Sequence, residues 1–232
     1  MLELVNVSKL WDGRAVIREL TLSISAGNIL CLTGPSGAGK STVLEIAAGL
    51  LSPDGGRRLC KTGRLGFTFQ ADVLIPWRTV GQNIEFVQDA AEDRSGARRR
   101  RDKWLARFGL QDAREQYPLQ ISGGMRRRLN LARAFSLEPD LLILDEPFAF
   151  LDQLWLQRIA SYLGEAVANG AAVLMASHQM EPLAGLGIET MLIPGPRQEP
   201  APQEPVRGRS RQTEPALASR NCLSTLNQLH SR

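Results

Sequence analysis

Apolar positions along this chain fall into two rhythms. Leu2–Val7 and Leu20–Ile24 alternate apolar with polar residues, the period of half-buried strands. Ile29–Thr33, Leu141–Leu144 and Ala172–Ala176 are short unbroken apolar runs, which predict strands buried on both faces. Ser41–Leu50, Ser122–Leu137 and Gln153–Ala168 carry helical spacing instead. Strands alternating with helices predict an α/β chain. From about Gln70 to Tyr117 the strand patterns stop, and Val80–Ala91 and Ala97–Phe108 predict helices. This stretch, about 70–118, reads as a helical subdomain inserted into the α/β core. Ser52–Gly66, rich in Gly, Pro and Arg, reads as a surface excursion.

The pattern ends after Ile193. The stretch PGPRQEPAPQEPVRGRSRQTEP has almost no large apolar residues to offset its ordering entropy. The expected organisation is one domain over 1–193 and a Pro/Arg-rich tail over 194–232. The tail is expected to be disordered over 194–215, with a short helix possible in composition at Ala216–Leu229.

Composition changes this picture little. At 232 residues, 43% hydrophobic and 22% charged, the chain has an ordinary globular balance. Its apolar runs are far shorter than the roughly 20 residues that a membrane-spanning helix needs. It opens on LELVNVS, so no secretory signal is expected. Cys31, Cys60 and Cys222 are widely spaced and unpaired in sequence. That speaks against a disulfide framework or a zinc site and for a reducing compartment, with Cys31 a small core residue. The net charge of +4 is mild and draws on the tail and the arginine run Arg98–Arg101. That run reads as a solvated helix face, and no nucleic-acid partner is expected.

Candidate chemistry lies at the strand ends. Gly34, Pro35, Ser36, Gly37, Ala38, Gly39, Lys40, Ser41 and Thr42 match GxxxxGK[ST] in full, between a buried strand and a helix. The glycines let successive N–H groups face phosphate oxygens, and the following helix adds its positive end. Lys40 is a mobile cation for the β- and γ-phosphates, and the Ser41 hydroxyl is a hard oxygen ligand for Mg²⁺. A nucleotide with Mg²⁺ is therefore the expected ligand, since a P-loop alone marks only an NTPase or nucleotide binder. Further on, LLILDEP is an apolar strand ending in Asp145 and Glu146. Asp145 is placed to hold the Mg²⁺ hydration shell and Glu146 to polarise an attacking water, although strands also end at polar residues for no chemical reason.

Ile121-Ser122-Gly123-Gly124-Met125 closely resembles the LSGGQ-type signature of ABC ATPases. Ser122, Gly123 and Gly124 at a helix start can bind an anion, or can simply cap the helix. The order of motifs also resembles that family over about 1–193: P-loop, Gln70 in FTFQ, ISGGM, LLILDEP, FAFLD, then Ser177-His178. The resemblance implies a P-loop NTPase core with an antiparallel β subdomain and an inserted helical subdomain. It implies ATP and Mg²⁺ as cofactors, and an ATP-hydrolysing transporter subunit that pairs head to tail with a second copy, ATP lying between one P-loop and the other signature. It further implies that Gln70 reaches Mg²⁺ and the nucleophilic water, Asp152 lies at the dimer seam and His178 contacts the γ-phosphate. Trp11 would stack on adenine. A capping or core role for His178 and a packing role for Trp11 fit the bare sequence as well. Val73–Val80 (VLIPWRTV) and the MRRR start of the signature helix are similar to importers of the nitrate, sulfonate and taurine group. That resemblance implies integral membrane permease subunits and an extracytoplasmic solute-binding protein as partners. The location implied is the cytoplasmic face of the cell membrane.

Some positions depart from the family. Ile121 replaces Leu, Met125 and Arg127 stand where relatives often carry Gln, Phe150 replaces a small residue, and Gln179 follows the histidine where Asp is common. These departures leave a poorly hydrolysing regulatory subunit open as an alternative. A soluble ABC ATPase of DNA repair or translation is another, although no sustained heptads separate P-loop and signature.

Overall fold

The computed structural model describes residues 1–88 and 94–195. Strands β1 (Leu2–Trp11) and β2 (Arg14–Ile24) form a hairpin, closed by Asp12 and Gly13 at φ 50° and 75°. An Asp-Gly pair suits two consecutive left-handed positions, so the strands run on to the turn and exceed the expected Leu2–Val7 and Leu20–Ile24. A short buried strand β3 (Ile29–Thr33) leads to helix α1 (Lys40–Ala48). The chain then forms β4 (Gly55–Cys60) and β5 (Leu65–Thr68).

These two strands correct the reading of Ser52–Gly66 as a surface excursion. β4 pairs antiparallel with β1, giving the three-stranded order β2-β1-β4. Its sequence, GGRRLC, is polar because its alternate positions face solvent. β5 adds a short edge to the second sheet.

Between β5 and the next strand come α2 (Val80–Gln88), α3 (Arg94–Arg107), a 3-10 turn at Pro118–Gln120 and α4 (Gly123–Phe135). Then follow β6 (Leu141–Asp145), α5 (Gln153–Ala168), β7 (Ala172–Ala176) and β8 (Ile188–Leu192). The second sheet is parallel throughout, in the order β5-β6-β7-β3-β8. Its central strands feed two cores by simple alternation. Leu30, Leu32, Leu141, Ile143 and Leu174 pack with α1 and the antiparallel sheet. Ile29, Cys31, Leu142, Leu144, Val173 and Met175 pack with residues of α2 to α5. A strand covered on both faces must be apolar at every position, which is why these runs stand out in the sequence.

In the arginine run, Arg98 and Arg99 are exposed, but Arg101 is buried and pairs with Glu85 and Asp102. The solvated-face reading therefore fails at Arg101. The expected helix over 89–91 and the expected tail beyond Gly195 lie outside the described residues.

Candidate functional site

The carboxyl ends of parallel strands are where α/β sheets bind ligands, and the sequence motifs gather there. Residues 34–39 link β3 to α1. Gly34 has φ 141°, and a Cβ there would lie 2.3 Å from the Ile193 carbonyl oxygen. Gly39 has φ 92°, and a Cβ would lie 2.8 Å from Val16 Cγ1. Both positions exclude side chains by conformation and by space, so the loop sits tightly between the β2 strand and the end of β8. The Ala38 N–H donates to the Pro35 oxygen at 3.2 Å, and the Val43 N–H donates to Gly39 at 2.9 Å as α1 begins. Lys40 is only 8% exposed, and its Nζ donates to the oxygens of Gly34 (2.8 Å) and Pro35 (3.0 Å). The ammonium thus lies over its own loop, poised beside the cleft.

That cleft, of about 280 Å³, is lined by residues 36–42 with Val16, Gln70, Asp145, Glu146 and His178. Three separate segments therefore bring polar groups to one loop. Asp145 ends β6 at 5% exposure, and its carboxylate is hydrogen-bonded to the Ser41 side chain. Burial pushes its pKa up, while Ser41, Arg127 and Lys40 pull it back toward ionisation. Glu146 has φ 46° and donates its N–H to the Ala176 oxygen at 2.9 Å. Its Oε2 accepts from the His178 N–H at 3.3 Å, and its Oε1 lies 3.3 Å from His178 Nε2. The strand-end turn thus aims this carboxylate into the cleft instead of into the sheet.

The donor set suits a nucleoside triphosphate with a divalent cation. Backbone N–H groups and Lys40 match phosphate oxygens, and the Ser41 hydroxyl and Asp145 carboxylate are hard oxygen donors. No cluster of three His, Cys, Asp or Glu occurs among the described residues. A metal in the cleft would share phosphate oxygens with these few protein groups, which is how Mg²⁺ is usually held.

Other expected residues stand elsewhere. Ser122 caps α4, its Oγ accepting from the Met125 N–H at 3.2 Å. Ser122, Gly123 and Gly124 do not line the cleft. Asp152 caps α5 through the Trp155 N–H at 2.9 Å. Trp11 does not line the cleft either; it stands half-exposed at the hairpin tip, its ring 5.7 Å from Lys9 Nζ. Val16, on the same hairpin, is the residue that faces the P-loop, a contact that no sequence signal marked. Two buried polar residues were also missed. Asn83 donates to the oxygens of Ile75, Arg78 and Thr79 and accepts from the Ile75 N–H, fixing the loop before α2. Arg127, singled out in sequence only as a departure, lies 1% exposed beneath the cleft. A larger cavity, of about 530 Å³, opens at the opposite, amino ends of the parallel strands near Arg64, Asp140 and Ala171. It carries none of the motifs above.

Residues 17–149 match the family model described as ABC transporter. The chain belongs to the ABC transporter family. It is an ATP-binding ATPase subunit of that type. It is 32% identical to an aliphatic sulfonates import ATP-binding protein of Burkholderia cenocepacia, over 100% of this chain and 89% of that protein. A protein of the same description from Mycobacterium avium is 38% identical over 82% of this chain and 76% of its own length. A taurine import ATP-binding protein of Yersinia pestis is 35% identical over 84% of this chain and 82% of its own. Among solved structures, a dimeric bacterial ABC transporter cassette superposes with a TM-score of 0.77 at 26% identity, covering 84% of this ABC ATPase and 94% of that chain. A dimeric cassette in a post-hydrolysis state, bound to ADP and Pi, gives 0.73 at 26% identity, over 78% and 90%.

Proposed function

We propose that this chain hydrolyses ATP to drive import of a small sulfonated organic anion, of the taurine and alkanesulfonate class, through integral membrane permease subunits. The observation that carries the solute class is the likeness, over most of the chain, to proteins named for sulfonate and taurine import. A deletion strain is expected to lose growth on taurine or an alkanesulfonate as sole sulfur source and to grow normally on sulfate. Unimpaired growth on every sulfonate tried would sink this solute class.

In this reading the N–H groups of residues 36–42 and Lys40 hold the β- and γ-phosphates. Ser41, Asp145 and Gln70 hold Mg²⁺, which would offset the charge developing on the phosphates. Glu146 orients the attacking water and takes its proton. His178, whose N–H and ring face that carboxylate, keeps Glu146 aimed and presents its exposed ring to the γ-phosphate. The N–H groups and hydroxyl of Ser122, Gly123 and Gly124 close over the phosphates of a second copy. Their absence from the lining of their own chain's cleft supports this division, as do the dimeric cassettes that the fold resembles. Beside the start of α4, Phe150 is 86% exposed, at φ 63°. A Cβ on Gly124 would lie 3.7 Å from the Phe150 oxygen, so the signature and this apolar group share one surface.

No helix among the described residues is long and apolar enough to cross a membrane. Attachment at the cytoplasmic face then needs a protein surface, which Val73, Trp77 and Phe86 supply; Trp77 is 76% exposed in the loop that Asn83 fixes. Exposed apolar groups on so ordered a loop fit a permease contact. An extracytoplasmic solute-binding protein completes the importer.

Two results are expected from the site. Glu146→Gln, examined by light scattering, is expected to be monomeric without nucleotide and dimeric with Mg-ATP. A monomer in both states, with permease present, would count against the two-copy site. Asp145→Asn is expected to raise the Mg²⁺ concentration needed for tight ATP binding by about 10- to 100-fold. Binding without Mg²⁺ should change little, because the loop N–H groups and Lys40 remain. An unchanged Mg²⁺ requirement would remove Asp145 from the metal.

A further inference from the structure

The guanidinium of Arg127 joins two chain segments that are remote in sequence. Its Nη1 donates to the oxygens of Phe69 (3.1 Å) and Gln70 (3.3 Å) and lies 3.4 Å from Asp72 Oδ1. Its Nη2 donates to the Asp145 oxygen at 2.8 Å and to the Glu146 oxygen. One rigid plane thus holds the backbone at the metal-side glutamine and at both acids. Burial disfavours the charge, and the Asp72, Asp145 and Glu146 carboxylates offset that cost. The same helix, α4, also holds the start of this loop further along, Arg133 donating to the Val73 oxygen. No atom of Arg127 lines the cleft.

We propose that Arg127 is a positioning residue for hydrolysis, setting Gln70 and Glu146 in mutual register from beneath without touching the nucleotide. The proposal rests on the assignment of Glu146 to the attacking water. A lysine cannot replace it, because a single ammonium nitrogen cannot span the Phe69–Gln70 and Asp145–Glu146 carbonyls as the two ends of a guanidinium fork do. A glutamine is two bonds shorter and carries one amide nitrogen, so it too loses one side of the clamp.

The test uses the full chain as Arg127→Gln, Arg127→Lys and Arg127→Met, alone and combined with Glu146→Gln. Melting temperature, ATP affinity without Mg²⁺, and single-turnover and steady-state hydrolysis are measured. The folded variants are expected to bind Mg²⁺-free ATP within about twofold of the parent, since the P-loop is untouched. Their kcat is expected to fall about 10- to 100-fold with KM nearly constant, the scale of a misplaced catalytic group. Arg127→Lys should not recover it. In the Glu146→Gln background the further loss should be much smaller, because groups acting on one step are not additive. Parental kcat in the folded variants would overturn the proposal. So would losses that multiply fully with Glu146→Gln, or a parallel fall in Mg²⁺-free affinity and melting temperature in all variants, which marks a purely structural arginine. Failure of the underlying assignment looks different: Glu146→Gln by itself would then turn over at the parental rate.

Discussion

Glu146→Gln is expected to bind Mg-ATP as the parent does and to hydrolyse it about 10²–10⁴-fold more slowly, the usual worth of a positioned acid–base group. The geometry supports a clean substitution. The Glu146 backbone is tied to Ala176 at 2.9 Å, and one carboxylate oxygen accepts from the His178 N–H at 3.3 Å. A glutamine keeps an oxygen for that bond, so the loop after β7 has no reason to move. What it lacks is the negative charge, and with it the basicity, to take a proton from water. Asp145 remains beside Ser41, so metal dependence should be preserved, in contrast to Asp145→Asn. Turnover and nucleotide affinity, each with and without Mg²⁺, separate the two acids. Parental turnover, or loss of Mg²⁺ dependence in Glu146→Gln alone, would reverse their assignments.

Lys40→Ala is expected to weaken ATP binding by about 10- to 100-fold and to bring hydrolysis to background. Hydrogen bonds to charged groups contribute roughly 1.5–3 kcal/mol each, and Lys40 is the cation that lines the cleft. In the structure its ammonium occupies the Gly34 and Pro35 carbonyls at 2.8 and 3.0 Å. Binding therefore requires the head group to swing from loop carbonyls to phosphate oxygens, a change the long lysine stem allows. Alanine leaves those carbonyls without this donor, so a modest drop in melting temperature should accompany the affinity loss. Equilibrium titration with ATP and a phosphate-release assay measure both effects. Normal binding and cleavage would mean that the nucleotide lies elsewhere.

The legibility of this molecule follows how local each feature is. The P-loop is contiguous, because its work is done by consecutive N–H groups, one lysine and the hydroxyl beside it. The pair Asp145-Glu146 announces itself by ending a run with no polar residue. β3, β6 and β7 were readable because a strand buried on both faces tolerates nothing else. β4 was not, since its GGRRLC sequence gains its place from backbone pairing with β1, and one face stays wet. Trp11 was legible only through the resemblance, because an aromatic before a turn says nothing of where the hairpin tip points. Val16 carried no signal at all, its role coming from a glycine 23 positions on that leaves room for it.

The sequence by itself determined the family, the nucleotide chemistry and the strands of the core. Each is written in neighbouring residues or in a simple period. Tertiary structure decided which distant groups share the cleft: Gln70 from the end of β5, Glu146 from the end of β6, His178 from beyond β7. It alone showed that the arginine in the signature helix underlies two of them. The physical reason is that burying a guanidinium demands acceptors for its two terminal amino groups, and only the folded backbone can bring the carbonyls of positions 69–70 to one and those of 145–146 to the other.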